Sequence, residues 1–501
     1  MGTYEYIVLG LQVALQPVNL LFCFLGVLVG TLVGVLPGLG PAAAMALILP
    51  TTFYVSPDSA IIMLAGIYYG AMYGGSTTSI LVNVPGEPSS VVTCLDGYKM
   101  ARQGRAGAAL GISAFGSFIA GTLGVVALML IANPMAKLVL QFGPPEYFAL
   151  MLLGLSLLVY LSMGSMVKAL AMACLGLIFS FIGVDVLTGV QRFIFGHMEL
   201  ADGLGLVPVL MGIFGISEIL INLEGGLDRE VYETKIKGLL PNREDWSNSI
   251  IPILRGTSIG FLTGLLPGGG PTIASFAAYA IEKKVSKHPE RFGTGIIEGV
   301  AAPESANNSS TAAGFIPLFI IGIPANGILA LLFGALIIHG LTPGPLLLTQ
   351  NPKVFWGTII SMYIGNLMLL LLNLPLIGIW VRIIRIPYNI LSPIILFFCL
   401  IGAYTLNNSA LDVTVMLVFG GIGYLMRKFD FEGAPLILAF VLGPMIEKNF
   451  LQSLMISGGS YKVFWGSFIS TITLSLAILV IASSVIGFWR EKLRGRKLST
   501  S

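Results

Sequence analysis

Apolar stretches long enough to cross a lipid bilayer recur along nearly the whole chain, and this feature constrains the fold more than any other. A transmembrane helix needs about 20 predominantly apolar residues. Such spans are predicted at 60–84, 108–130, 147–161, 166–183, 206–222, 293–323, 355–380, 390–406, 411–427, 434–447 and 461–489. Two further apolar stretches, 18–54 and 250–281, are interrupted in the middle by proline and glycine. We therefore expect an all-α polytopic membrane protein with about 11 to 12 spans.

Composition excludes several other classes of protein. Charged residues make up 10% of the chain, whereas soluble domains carry about 25%. The net charge of +3 gives no reason to expect a nucleic-acid partner. The four cysteines and three histidines are widely scattered, which is typical neither of a disulfide framework nor of a metal site. We find no convincing nucleophile–base pair, so we expect neither an enzyme nor a cofactor.

One glycine- and proline-rich motif occurs twice. The sequence Gly30-Thr-Leu-Val-Gly34-Val-Leu-Pro37-Gly38-Leu-Gly40-Pro41 recurs as Gly260-Phe-Leu-Thr-Gly264-Leu-Leu-Pro267-Gly268-Gly-Gly270-Pro271. Correspondence continues downstream, where Val84-Pro85-Gly86 matches Ile323-Pro324-Ala325. We interpret the chain as a tandem duplication, with repeats at 18–223 and 250–489. The segment 224–249 is expected to be a cytoplasmic connecting loop, and 490–501 a basic cytoplasmic tail.

The distribution of Lys and Arg predicts that the two repeats have opposite orientations. The segment 282–292 carries four basic residues and its counterpart 50–58 carries none, whereas 94–107 carries three against one in 339–353. Since basic residues concentrate in cytoplasmic loops, this reversal indicates inverted topology. Residues 1–98 contain no Lys or Arg, so we expect the N-terminus on the outer side of the membrane and the C-terminus in the cytoplasm. A helical arm at 325–340 would alter the number of spans.

The repeated motif predicts a re-entrant hairpin in each repeat. Each of its prolines removes a backbone donor and prevents a continuous helix, while glycines allow the chain to reverse. The second arm would begin just after Pro41 or Pro271, where free N–H groups and the helix dipole favour an anion. The alternative is that these residues only permit close helix packing or a kink. Two copies at matching places favour a binding site.

Polar runs interrupt two predicted spans. Residues 74–79 and 304–311 are rich in Gly, Ser, Thr and Asn, and we interpret each run as a helix broken near the middle of the membrane. Free carbonyls and hydroxyls there would hold a cation such as Na⁺, and N–H groups would hold substrate carboxylates. The alternative is an intact helix whose hydroxyls bond back to the preceding turn. Glu304 is expected to be functional because acidic residues are costly in membranes, whereas Glu87 is expected to cap a following helix.

These considerations assign two sets of candidate residues. Those expected to bind substrate are Gly38, Gly40, Pro41, Ser76, Thr77, Thr78, Gly268, Gly269, Gly270, Asn307, Asn308 and Ser309. Those expected to bind the coupling ion, Na⁺ or H⁺, are Gly75, Ser79, Glu304, Ser310 and Thr311.

Several of these motifs together resemble those of one transporter family. They are the segments 34–41, 67–78, 83–90, 96–98, 142–148 and 298–308. The chain is similar in them to the large membrane subunit of the tripartite tricarboxylate transporters, the TctA type. The resemblance extends from about residue 18 to about residue 485, and it departs from the usual pattern only at Ser305, Ser309 and Ser310.

The resemblance implies a secondary carrier in the bacterial inner membrane. Such a carrier works with a small membrane subunit and a periplasmic solute-binding protein, and an ion gradient drives the uptake of citrate or a related carboxylate. The alternative is a stand-alone channel or exporter for small organic anions. A membrane-embedded enzyme ranks well below both hypotheses.

Overall fold

The computed structural model describes residues 3–36, 40–162, 165–185, 189–225, 238–383 and 388–498, and most of them are helical. The helices, numbered in chain order, are α1 (Thr3–Ala14), α2 (Pro17–Val35), α3 (Pro41–Ile48), α4 (Pro57–Val82), α5 (Val91–Thr93), α6 (Lys99–Arg102), α7 (Ala106–Val139), α8 (Pro144–Leu161), α9 (Met166–Ser180), α10 (Leu206–Leu210), α11 (Ser217–Gly225), α12 (Arg243–Gly264), α13 (Gly270–Val285), α14 (Glu298–Ala313), α15 (Gly327–Ile338), α16 (Pro345–Gln350), α17 (Pro352–Asn373), α18 (Ile377–Ile383), α19 (Tyr388–Asn407), α20 (Ala410–Lys428), α21 (Gly433–Ile456) and α22 (Phe468–Leu498). Two short strands, β1 (Gly183–Val184) and β2 (Gln191–Arg192), pair antiparallel.

Seven helical segments in the described part of the chain are long and apolar enough to cross a membrane. They are α2, α7, α8, α17, α20, α21 and the stretch Leu206–Glu224, in which a π-helical turn joins α10 to α11. All seven coincide with apolar stretches in the sequence. The prediction of an all-α, multi-pass membrane protein is therefore confirmed.

The chain forms two compact units, and each unit contains segments from both halves of the sequence. The first unit comprises 1–137 and 207–424, and the second comprises 138–206 and 425–501. In the second unit α21 packs against α8 and α9, and α22 packs against α8. There the Arg192 guanidinium lies 2.7 Å from Asp185 Oδ2 and 2.6 Å from Glu447 Oε1. Every candidate site residue that the structure describes belongs to the first unit.

Two helix pairs in the first unit pack through rows of small residues. On α2, Gly26, Gly30 and Gly34 lie directly against the backbone of α4. On α12, Gly256, Gly260 and Gly264 lie in the same way against α14. A methyl group added at Gly260 would lie 2.2 Å from the carbonyl oxygen of Ala306, so only glycine allows this approach. Spacing by four residues places such glycines on one helix face, as is common between membrane helices.

Helical structure stops at both copies of the repeated motif. In the first copy α2 ends at Val35 and α3 begins at Pro41, with residues 37–39, Gly38 among them, outside the described residues. In the second copy α12 ends at Gly264 and α13 begins at Gly270. Gly268 and Gly270 have φ angles of +80° and +49°, which only glycine adopts without strain.

Both predicted breaks within the polar runs are wrong. Helix α4 is continuous through 74–79, and α14 is continuous through 304–311. Hydroxyl groups bond back to the preceding turn, as Ser79 does to the Gly75 carbonyl at 3.0 Å and Thr311 to the Asn307 carbonyl at 2.9 Å. This satisfies the polar side chains without unwinding the helix. Helical structure is lost a few residues later, where Asn83 and Gly322 have positive φ angles of 57° and 87°.

Two short helices, α1 and α15, lie outside the predicted spans. Helix α15 occupies the stretch where an additional arm was considered, and its 12 residues are too few to cross a bilayer unaided. The sequence analysis missed α1, which lies before the first predicted span. Its Tyr6 ring stacks on Trp356 of α17 at 5.5 Å between centroids. Of the predicted connecting loop, 226–237 lies outside the described residues.

Candidate functional site

The polar runs of α4 and α14 face each other deep inside the first unit. Each of the Ser, Thr, Asn and Glu residues in these runs is no more than 4% exposed. Neither α4 nor α14 contains a Lys or Arg. The site is therefore lined by hydroxyl, amide and carboxyl groups, without a cationic side chain from either helix.

Glu304 of α14 connects the second half of the sequence to the first. The Ser76 hydroxyl of α4 donates a hydrogen bond of 2.5 Å to its Oε2 atom, and the Thr93 hydroxyl of α5 donates to Oε1. Glu304 itself is 1% exposed. A carboxyl group at this depth is tolerated because its oxygens have hydrogen-bond donors.

Glu87 forms a second buried carboxyl position beside the first. It accepts hydrogen bonds from the backbone N–H of Ser89 at 2.6 Å and from the Ser89 hydroxyl at 2.5 Å. The bond from the Ser89 N–H group caps the short 3₁₀ helix Pro88–Ser90, so the predicted capping role of Glu87 is confirmed. The side-chain amide of Asn307 also donates to its Oε1, at 3.5 Å. The sequence analysis did not anticipate this contact with a candidate site residue.

Several predicted site residues hold α14 in place. Asn308 donates to the Ser117 hydroxyl of α7 at 2.7 Å, and the Ser309 hydroxyl donates to the Thr257 carbonyl of α12 at 2.8 Å. Such bonds fix the rotation of α14, which carries Glu304 and Asn307. The structure therefore gives Asn308 and Ser309 a positioning role in addition to any contact with a substrate.

Three buried polar atoms of α14 have no hydrogen-bond partner in the described part of the chain. They are the hydroxyl oxygens of Ser305 and Ser310 and the amide oxygen of Asn307. Buried polar atoms normally have partners, because an unsatisfied group costs about 1–3 kcal/mol. These atoms are consequently available to a bound ion, a substrate or water.

The glycine-rich turn of the second copy contacts the segment that follows α14. The N–H group of Gly268 donates to the Ala325 carbonyl at 2.8 Å. Next to it, the Asn326 side chain donates to the Tyr68 hydroxyl at 2.9 Å and accepts from two N–H groups at the start of α15. Gly269 and Gly270 are buried beside this junction.

The first copy shows a corresponding contact. A methyl group added at Gly86, after α4, would lie 1.9 Å from the Gly34 carbonyl oxygen. Gly40 and Pro41 follow at the start of α3, and a methyl group added at Gly40 would meet nothing within 4 Å. In both copies, the segment around the repeated motif thus packs against the proline-containing segment after a polar helix.

The structure brings the candidate residues into two kinds of surroundings. Residues of α4 and α14 meet directly in the buried polar cluster around Glu304. Residues of the glycine-rich turns lie at the beginnings of α3 and α13, against the segments after α4 and α14. The residues that the sequence analysis missed are Tyr68, Thr93 and Asn326, together with the site contact of Glu87. A signal was present for Glu87 and Asn326, because each lies two residues after one of the matched prolines, Pro85 and Pro324.

A third buried carboxylate joins the two halves of the chain away from this cluster. Asp96 is 0% exposed and accepts hydrogen bonds from the N–H groups of Gly293, Gly295 and Ile296 at 2.8–3.0 Å. The Tyr279 hydroxyl donates to it at 2.8 Å. These contacts fix the loop that leads into α14.

Comparison with known proteins gives a consistent result. The chain is 51% identical over 476 residues, or 95% of both chains, to an uncharacterised 52.8 kDa protein in the TAR-I ttuC′ 3′ region of Agrobacterium vitis. It is 48% identical over 233 residues to an uncharacterised protein in the TAR-II ttuC′ 3′ region of the same organism, covering 46% of this chain and 96% of that protein. No solved structure matches.

A family model matches residues 20–438, which include both copies of the motif and every candidate site residue. The family is one of transporters that work with partner subunits, not one of enzymes. The chain belongs to the tripartite tricarboxylate transporter TctA family.

Proposed function

We propose that this chain is the translocation subunit of a cation-coupled importer of tricarboxylates such as citrate, or of related carboxylates. It would lie in the bacterial inner membrane with its N-terminus in the periplasm and its C-terminus in the cytoplasm. A small membrane subunit and a periplasmic solute-binding protein would complete the transporter. Na⁺ or H⁺ would drive uptake.

The buried cluster around Glu304 is the observation that carries this proposal. It combines two carboxyl groups, hydroxyls and amides, and neither polar helix supplies a cationic side chain. An anion entering such a site meets negative charge, which only a cation or proton can offset. Coupling of carboxylate movement to a cation follows from this electrostatic requirement.

The beginnings of α3 and α13 are proposed to hold the carboxylate groups of the substrate. Free N–H groups and the helix dipole favour an anion at such a position. Around α13, Gly269 and Gly270 are buried, and the Asn326 side chain lies beside Gly270. A substrate with several carboxylates could then contact more than one turn.

We further propose that α2–α3 and α12–α13 are re-entrant hairpins in two inverted repeats. The hydrogen bonds that Asp96 accepts from residues 293–296 support this arrangement, because they join the basic stretch 94–107 to the loop that follows the basic stretch 282–292. Both stretches are expected on the cytoplasmic side. Alternating access would then move the hairpins and polar helices against the remaining helices.

The direct test is uptake of labelled citrate and other carboxylates into proteoliposomes that contain this chain and its partner proteins. Substitution of Ser76, Thr77, Asn307 or Asn308 by alanine is expected to abolish uptake without lowering the amount of protein in the membrane. Unchanged uptake after all four substitutions would refute the site. Transport in vesicles that lack a binding protein would instead support a stand-alone channel or exporter.

A further inference from the structure

We propose that Glu87 and Asn307 form a sodium-binding position distinct from Glu304. This inference rests on the proposed function, since it identifies one of the cations that would be transported with the carboxylate. It assigns Glu87 a ligand-binding role in addition to its capping of the 3₁₀ helix Pro88–Ser90.

The hydrogen bonds of Glu87 favour its ionised form. The Ser89 N–H group, which lies 2.6 Å from Glu87 Oε2, can only donate. Donors that point at a carboxyl group stabilise the carboxylate. Glu87 is 5% exposed, so its negative charge is buried. A buried charge requires a partner of opposite sign. Neither adjacent polar helix supplies a Lys or Arg, so a bound cation fills this requirement.

Asn307 provides an independent indication of a ligand. Its amide oxygen has no hydrogen-bond partner in the described part of the chain, and the residue is 1% exposed. The amide nitrogen, 3.5 Å from Glu87 Oε1, forms only a long contact. A half-turn of the amide group brings its oxygen towards Glu87, and a cation between the two oxygens would satisfy both. Carboxylate and amide oxygens are the ligands that hard cations prefer.

Glu87 accepts from a backbone N–H group as well as from a hydroxyl, whereas the donors to Glu304 in the described part of the chain are hydroxyls. The contacts of Glu304 are with the hydroxyls of Ser76 and Thr93, and a hydroxyl can either donate or accept. Glu304 can therefore be satisfied as a carboxylate or as a protonated acid. This contrast assigns the metal cation to Glu87 rather than to Glu304.

The experiment measures sodium binding to the detergent-purified, substrate-free chain. Its melting temperature is followed while NaCl replaces choline chloride at constant ionic strength, and the series is repeated at several pH values. Sodium is expected to raise the melting temperature of the wild-type protein. Glu87→Gln and Asn307→Leu are each expected to abolish this shift, or to raise the half-maximal sodium concentration at least about tenfold. Glu298→Gln is the matched control and is expected to retain the shift. Glu298 is a half-buried glutamate at the start of α14, the helix that carries Asn307.

Three results of the melting experiment would overturn the proposal. In the first, the melting temperature of the wild-type protein changes with pH but not with sodium. In the second, Glu87→Gln keeps the sodium-dependent shift. In the third, only Glu304→Gln loses that shift. Melting in choline chloride shows separately whether each variant is folded. Sodium-driven citrate uptake by Glu87→Gln would refute this site while leaving the proposed function intact. A sodium response that depends on Glu87, in a protein that transports no carboxylate, would refute the function and retain the site.

Discussion

Replacement of Asp96 by alanine is expected to destabilise the first unit strongly. Its carboxylate accepts hydrogen bonds from the N–H groups of Gly293, Gly295 and Ile296, in the loop before α14. It also accepts one from the Tyr279 hydroxyl. The N–H groups of Gly295 and Ile296 are buried. Alanine would leave both without an acceptor, at about 1–3 kcal/mol each, so we expect a loss of roughly 2–6 kcal/mol. The Gly293 N–H group and the Tyr279 hydroxyl lie in partly exposed surroundings, where water can replace the carboxylate.

Asp96→Asn is expected to be milder, because the amide retains one oxygen that can accept from the loop. It loses the charge, and charged hydrogen bonds are about twice as strong as neutral ones. The carboxylate also lies close to the start of α14, where the helix dipole favours negative charge. We therefore expect the order wild type, Asp96→Asn, Asp96→Ala in decreasing stability.

Thermal unfolding of the detergent-purified chain, followed by tryptophan fluorescence, measures this order. Asp202→Ala is the matched control, because Asp202 is an exposed aspartate in a turn. A melting temperature of Asp96→Ala equal to those of the wild type and the control would refute the reasoning. It would mean that the loop before α14 does not depend on the buried carboxylate.

Two further predictions concern helix packing and capping. Gly260→Ala is expected to lower the melting temperature, because its methyl group would lie 2.2 Å from the Ala306 carbonyl oxygen. Gly378→Ala is the control and should be tolerated, because its methyl group would meet nothing within 4 Å. Equal melting temperatures of the two variants would contradict this prediction. Asn326→Ala removes the cap of α15 and the bond to Tyr68, and we expect a loss of about 1–2 kcal/mol for the cap. Asn326→Ser should recover part of it in the same melting assay, and no difference between these two variants would argue against the cap.

The helical architecture could be predicted because its causes are local. Long apolar stretches form helices in a membrane, since backbone groups there must bond within their own segment. The loss of helix at the repeated motif follows from prolines that lack an N–H group. The cap at Glu87 was also recognisable, because a carboxylate precedes Pro88, Ser89 and Ser90.

The continuity of the polar helices could not be predicted, because it depends on partners far away in sequence. A run of hydroxyls can unwind a helix or bond back to it, and local sequence does not decide between the two. In α4, Ser76 bonds to the Met72 carbonyl and also to Glu304, which lies 228 residues later. The burial of Asp96 was hidden for the same reason, since its partner Gly295 lies 199 residues away.

Gradient-driven uptake tests the central claim most directly. Labelled citrate is supplied, with the binding protein and the small membrane subunit, to proteoliposomes that carry an inward Na⁺ gradient, an inward H⁺ gradient or neither. Accumulation of citrate that requires a cation gradient, and that is lost in Glu304→Ala, is the predicted result. Equal citrate entry with and without a gradient, or full accumulation by Glu304→Ala, would contradict it.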